Sequence, residues 1–172
     1  MEKTIIEGLE YLESTEVSFL AMPCNSAHLY YDNLKEVINI PLLNIVDETL
    51  TTLEKGRQRI TVLATATTFE SKIYQRGIRD AGHKFVFQDE WQAEINSLIK
   101  MFKTGADQSK MMNKWKELLA KLRREKIDTA IIGCTDLTLF KNKVDTEINL
   151  IDSSEELART VVKRYLTLRN QL

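Results

Sequence analysis

The sequence predicts an α/β fold built on parallel sheet, and three features carry that expectation. Six short runs, "VSFLAM", "PLLNIV", "ITVLAT", "KFVF", "TAIIG" and "INLID", are nearly continuous in apolar or β-branched residues, the pattern of parallel strands covered on both faces. Longer stretches with apolar residues at helical spacing separate them. The two prolines, Pro23 and Pro41, fall at strand boundaries, where a missing N–H does least damage. Such β-α alternation places helices on the faces of a parallel sheet.

Taken in order, "MEKTIIEGLEYLESTEV" reads as a helix leading into the first strand. That strand ends abruptly in Pro23-Cys24-Asn25-Ser26, and an amphipathic pattern running to Ile38 begins at once behind it. After the third and fourth strands, "TFESKIYQRGIRDAG" and "QAEINSLIKMFKTG" each read as a helix closed by a glycine suited to a C-cap, Gly82 and Gly105. "SKMMNKWKELLAKLRREK" sets Met112, Trp115, Leu118, Leu119 and Leu122 on one core-facing stripe. The strand "TAIIG" runs into Cys134-Thr135-Asp136 and a short helical stretch, and "SSEELARTVVKRYLTL" is the last helix.

Composition bounds the partners. A chain of 172 residues, 43% hydrophobic and with a net charge of -1, has material for a sizeable core and no electrostatic bias toward nucleic acid or membrane. No apolar run approaches membrane-helix length, and the N-terminus lacks the layout of a signal peptide, so a cytoplasmic setting is expected. There the two cysteines are expected to be reduced, each either a small buried hydrophobe or a reactive thiol.

Both cysteines occupy the same niche, the carboxyl end of a strand where a helix begins. Ligands gather at such ends in open α/β sheets, and a helix N-terminus lowers a thiol's pKa from about 8.5 toward neutrality. Asn25 and Ser26 also have a plain reading, as helix caps. Two thiols so placed suit inversion of a carbon bearing an acidic hydrogen. One takes the proton from one face while the other delivers a proton to the opposite face, and the equivalent pair works in reverse. Asn25, Ser26, Thr135 and the backbone N–H groups at the helix starts are donors for a carboxylate.

"MPCNSAH" and "IIGCTDL" resemble the P-C-N-[TS]-A-H and G-C-T-[EDH] signatures of the aspartate/glutamate racemases, cofactor-independent enzymes with one catalytic cysteine from each of two α/β lobes. "VLATATTFESKIYQ" is similar to the family's strand, threonine-bearing loop and S-x-x-Y helix, and "IKMFKTG" to its K-x-G segment. The resemblance covers nearly the whole chain. By matched position it implies Cys24 and Cys134 as the acid/base thiols, and Asn25, Ser26, Thr68 and Thr135 as holders of the α-carboxylate and amine. Lys103 corresponds to the lysine that helps bind the side-chain carboxylate in aspartate-specific members, against the plain reading of a solvated helix-end lysine. Thr65 and Thr67 are secondary candidates, and His28 is read as packing. Asp136 either orients the second thiol's surroundings or is a helix-start acid. No cofactor, metal or pyridoxal phosphate is implied.

One departure stands out. Family members begin with a strand, a glycine-rich loop, a helix and a further strand, whereas this chain begins at the following helix. The expected architecture is therefore two pseudo-symmetric, Rossmann-like parallel-sheet lobes with the site in the cleft between them, the first lobe truncated. Residues 1–57 make up that first lobe, with the C-terminal helix 153–172 packing back on it, and residues 58–152 form the second. A homodimer is expected. The function implied is racemisation of aspartate or glutamate. The alternatives are a related two-cysteine isomerase or hydantoin racemase, or a truncated, catalytically impaired relative acting as a binding protein.

Overall fold

A computed structural model describes residues 1–170, so the last two positions of the expected 153–172 helix lie outside the described residues. All six expected strands form, and every pairing is parallel. They are β1 (Leu20–Ala21), β2 (Leu42–Leu43), β3 (Arg59–Leu63), β4 (Lys84–Phe85), β5 (Thr129–Ile132) and β6 (Asn149–Asp152). β1 and β2 make a two-stranded sheet, and the others a four-stranded sheet in the order β4-β3-β5-β6. In the larger sheet Leu63 pairs with Ile132, and Ile132 with Asp152, so three strand ends lie side by side.

The helices are α1 (Glu2–Glu13), α2 (Tyr31–Glu36), α3 (Ile45–Leu50), α4 (Ala66–Glu70), α5 (Ile73–Asp80), α6 (Asp89–Lys103), α7 (Gln108–Arg124) and α8 (Ser153–Arg169). Short 3₁₀ segments, Ser26–Tyr30 and Thr135–Phe140, follow the two cysteines. Gly82 and Gly105 do close α5 and α6, with φ of 85° and 64° that a side chain would strain. The N–H of the residue after each glycine reaches back into its helix, His83 to the Ile78 carbonyl and Ala106 to that of Met101.

The runs "VSFLAM" and "KFVF" are strand only at Leu20–Ala21 and Lys84–Phe85, and two further stretches differ from the sequence expectation. The run "PLLNIV" is strand only at Leu42–Leu43, because the Asn44 carboxamide accepts the N–H groups of Val46 and Asp47 and starts α3 there. The helix expected through "TFESKIYQRGIRDAG" is broken at Lys72, whose φ of 59° separates α4 from α5.

The inner strands of the larger sheet, β3 and β5, are buried along nearly their whole length because both faces are covered. On one side Leu63, Ala130 and Ile132 pack with Trp91, Ile95 and Leu98 of α6 and Trp115, Leu118 and Leu122 of α7. On the other, Ile60, Val62, Ile131 and Ile151 pack with Ile45 and Val46 of α3, Tyr74 and Ile78 of α5 and Leu157 of α8. The smaller sheet has its own cluster, in which Leu20 and Leu42 meet Leu9 of α1 and Leu34 of α2. α3 leads from the small sheet onto the face of the large one and lies against α8. The Cys24 loop is thereby brought over the carboxyl ends of β3, β5 and β6.

Candidate active site

Cys24 and Cys134, far apart in the chain, line one cavity of about 170 Å³ together with Asn25, Ser26, Thr65, Thr68, Lys103, Gly133, Thr135 and Asp136. Every residue singled out from the sequence as catalytic or substrate-binding is on that wall. Thr65, held as secondary, is there too, while Thr67 is exposed and outside it. A larger hollow of about 480 Å³, bordered by Lys141–Leu150, carries no thiol. Among the described residues no group of three or more His, Cys, Asp or Glu converges as a metal site.

Each thiol is placed by its own loop. Cys24 is exposed, three residues beyond β1, with its Sγ 3.5 Å from the Ser26 hydroxyl. Its backbone carbonyl accepts from His28 Nδ1 at 2.9 Å, and His28 Nε2 accepts from the Ile45 N–H at 3.2 Å. Those roles require a neutral ring, and burial does hold the His28 pKa below its ordinary value. His28 therefore pins the Cys24 peptide to the start of α3, which gives its packing role a specific content.

Cys134 follows β5 through Gly133, whose N–H donates to the Leu63 carbonyl at 2.9 Å. A methyl group at 133 would stand 3.2 Å from both the Ala64 Cβ and a Val62 methyl, so glycine lets the loop lie flat on β3. Cys134 is buried, 8% exposed. Its thiol pKa is not lowered, as a helix N-terminus alone would suggest. Burial pushes it up, and the Asp136 N–H and the Lys103 ammonium pull the other way without prevailing.

The polar wall is largely pre-organised. Thr65 caps α4 by accepting from the Thr68 N–H, and its hydroxyl lies 3.1 Å from that of buried Thr68. Lys103, the last residue of α6, stands 3.6 Å from the Asp136 carboxylate, with side-chain exposures of 64% and 23%. Lys103 is thus neither a free solvated lysine nor an unpaired charge, and Asp136 faces the cavity as its partner.

Asn25 departs from the cap reading. It makes no side-chain cap bond and is buried; its Nδ2 donates to Ser153 Oγ at 2.9 Å, and its Oδ1 accepts from the Tyr74 hydroxyl. Burial pushes the Tyr74 phenol up to about 12, so it remains a donor. One Nδ2 proton of Asn25 is left over for a ligand. Ser153 was not anticipated from the sequence, where it reads as an ordinary residue at a helix start. Tyr74 was visible only as the last position of the S-x-x-Y pattern.

Residues 2–161 match the family model described as Asp/Glu/Hydantoin racemase. The chain is 35% identical over 170 residues to the broad specificity amino-acid racemase RacX of Bacillus subtilis (strain 168), an alignment covering 99% of this chain and 74% of that protein. It is 28% identical to the glutamate racemase of Aquifex pyrophilus over 89% of this chain and 61% of that one. Among solved structures, the aspartate racemase of Picrophilus torridus superposes with a TM-score of 0.82 at 28% identity, covering 94% of this chain and 68% of that chain.

Proposed function

The chain belongs to the Asp/Glu/Hydantoin racemase family, and from that premise we propose that it inverts the α-carbon of an acidic amino acid, aspartate or glutamate, through its two thiols. The observation that carries this reading is that the protein's only two cysteines, from separate loops, line one small cavity. At about 170 Å³ it is well below the roughly 300–1,000 Å³ typical of pockets for larger ligands, and it suits an amino acid. Two free thiols also suit a reducing, cytoplasmic setting.

In the proposed reaction one sulfur, as thiolate, takes the α-proton, and the electron pair left on carbon delocalises into the α-carboxylate. Ser26, Thr68 and Thr135 hydroxyls and the spare Asn25 N–H hold that carboxylate and the amine, strengthening as its charge grows. The other sulfur, as thiol, gives its proton to the opposite face. Thiol and thiolate have then exchanged places, ready for the other enantiomer.

The test is to incubate the protein with single enantiomers of aspartate and glutamate and follow the mirror form by chiral chromatography. Loss of optical activity together with uptake of solvent deuterium at Cα is the expected result, and absence of both for every amino acid tried would refute the reading.

A pH profile follows from the shared proton. The competent protein carries one proton between the two sulfurs, so the rate rises as the first is lost and falls as the second is lost. Burial of Cys134 and repulsion from Cys24 both move the second loss upward. kcat/KM is expected to be bell-shaped, with its alkaline limb above the ordinary thiol range near about 8.5. A limb descending from neutral pH would contradict it.

Lys103 tests substrate choice. If its ammonium holds the distal carboxylate, Lys103→Ala is expected to cost aspartate or glutamate about 1.5–3 kcal/mol in kcat/KM, toward the lower end because Lys103 is 64% exposed. The likeness to a broad specificity racemase supports a second reading, in which the pocket takes several amino acids. In that case Lys103→Ala lowers acidic and neutral substrates alike.

A further inference from the structure

Ser153 is fully buried at the first turn of α8 and touches both thiol-bearing loops. Its hydroxyl proton is spent on the Ile132 carbonyl at 2.9 Å, two residues before Cys134. It therefore meets Asn25, the residue after Cys24, as an acceptor, taking the Nδ2 proton at 2.9 Å. That choice fixes the amide's orientation, with Oδ1 toward the Tyr74 hydroxyl. Each member of the resulting chain, Tyr74 to Asn25 to Ser153 to Ile132, is buried and its contacts are neutral.

We propose that Ser153 is a positioning residue, a hydrogen-bonded strut between the Asn25 side chain and the end of β5 that sets the spacing of the Cys24 and Cys134 thiols. The physical need is specific to a two-thiol site. Each sulfur is held well within its own loop, Cys24 through His28 and Cys134 through Gly133, yet those contacts leave the distance between the loops open. Ser153, at the junction of β6 and α8, hydrogen-bonds both to Asn25 beside Cys24 and to the end of β5 that leads into Cys134. Proton transfer across a substrate depends on that distance, since a displacement of about 1 Å can cost on the order of 100-fold. Burial makes the strut stiff: an unpaired Asn25 or Ser153 would leave a desolvated polar group.

This proposal deepens the two-thiol reading and rests on it for its catalytic meaning, but its test does not need activity. Because the chain has only two cysteines, a bifunctional dibromobimane reports their spacing directly by the fluorescence of the doubly alkylated product, with monobromobimane reporting the reactivity of each thiol alone. In Ser153→Ala the ratio of bridging to single alkylation is expected to fall about tenfold. Asn25→Ala, which severs the same bond from the other end, is expected to give the same fall, the double variant no further one, and Ser153→Thr, which keeps the hydroxyl, is expected to restore the ratio. Should one alanine variant fail to fold, the other carries the test. A folded variant with an unchanged ratio, or additive losses in the double variant, overturns the strut. Loss of bridging in a protein without racemase activity would uphold the strut and sink the proposed function; unchanged bridging in an active protein would do the reverse.

Discussion

Replacing either thiol, Cys24→Ser or Cys134→Ser, is expected to lower kcat/KM for racemisation by about 100- to 10,000-fold, the usual contribution of a positioned acid or base. A hydroxyl fills the same place, but its proton is too tightly held for it to serve as the base and too weakly acidic to serve as the donor. Since each direction uses one sulfur as base and the other as acid, neither variant should be spared in either direction. The half-reactions separate the roles. With one thiol left, a single enantiomer can still lose its α-proton to that thiol and recover deuterium from the same face, so solvent exchange without inversion should persist for one enantiomer in each variant, and for opposite enantiomers in the two. Chiral chromatography with mass detection in deuterated water reads both. Racemisation at the normal rate by either single variant would end the two-thiol reading, whatever the fate of the cavity.

Trp115→Ala is expected to cost about 3–5 kcal/mol of folding stability, the range for deleting a buried aromatic. Trp115 is fully buried on α7 and stacks on Phe140 with ring centroids 5.4 Å apart. Phe140 closes the 3₁₀ segment that follows Cys134, so the cavity left at 115 lies beneath one of the two thiol loops. Trp115→Phe should cost distinctly less, and not only because less area is lost. The indole N–H is buried with no hydrogen-bond partner among the described residues, so the smaller ring removes an unpaired donor along with the carbon. Urea titration checks this: the midpoint should fall for both variants in that order with the slope unchanged. A loss near zero for Trp115→Ala would show that α7 and the Cys134 loop are not packed as one unit.

The strands were legible because burial on both faces leaves its mark locally, as uninterrupted apolar runs, whatever the partner strand is. Where a local competitor was present the runs overreached. Asn44 sits inside "PLLNIV" with a side chain that caps the next two N–H groups, and so the strand stops before Ile45. The break at Lys72 could not be read, since lysine carries no preference for the left-handed backbone that it adopts there.

The site divides along the same line. The niche of each cysteine, after a strand and before a helical turn, is a property of a dozen consecutive residues, and so are the flanking Asn25, Ser26 and Thr135. Lys103 was legible as a residue but not as an ion pair, because Asp136 meets it across the fold and not along the chain. The burial of Cys134 was not legible for a related reason: a helix start is visible in sequence, whereas the amount of protein stacked over a thiol, which pushes its pKa up, is not.

The sequence by itself determined the parallel α/β character, the helices between the strands, and the two thiols with the polar residues beside them, since each rests on spacing within a few turns of chain. Only the tertiary structure decided that both thiols open on one cavity, that Lys103 is shared with Asp136, and that Asn25 bonds to Ser153, 128 residues away. Such contacts depend on how two sheets and the helices between them pack, and a hydrogen bond closed over that length of chain leaves no periodicity to read.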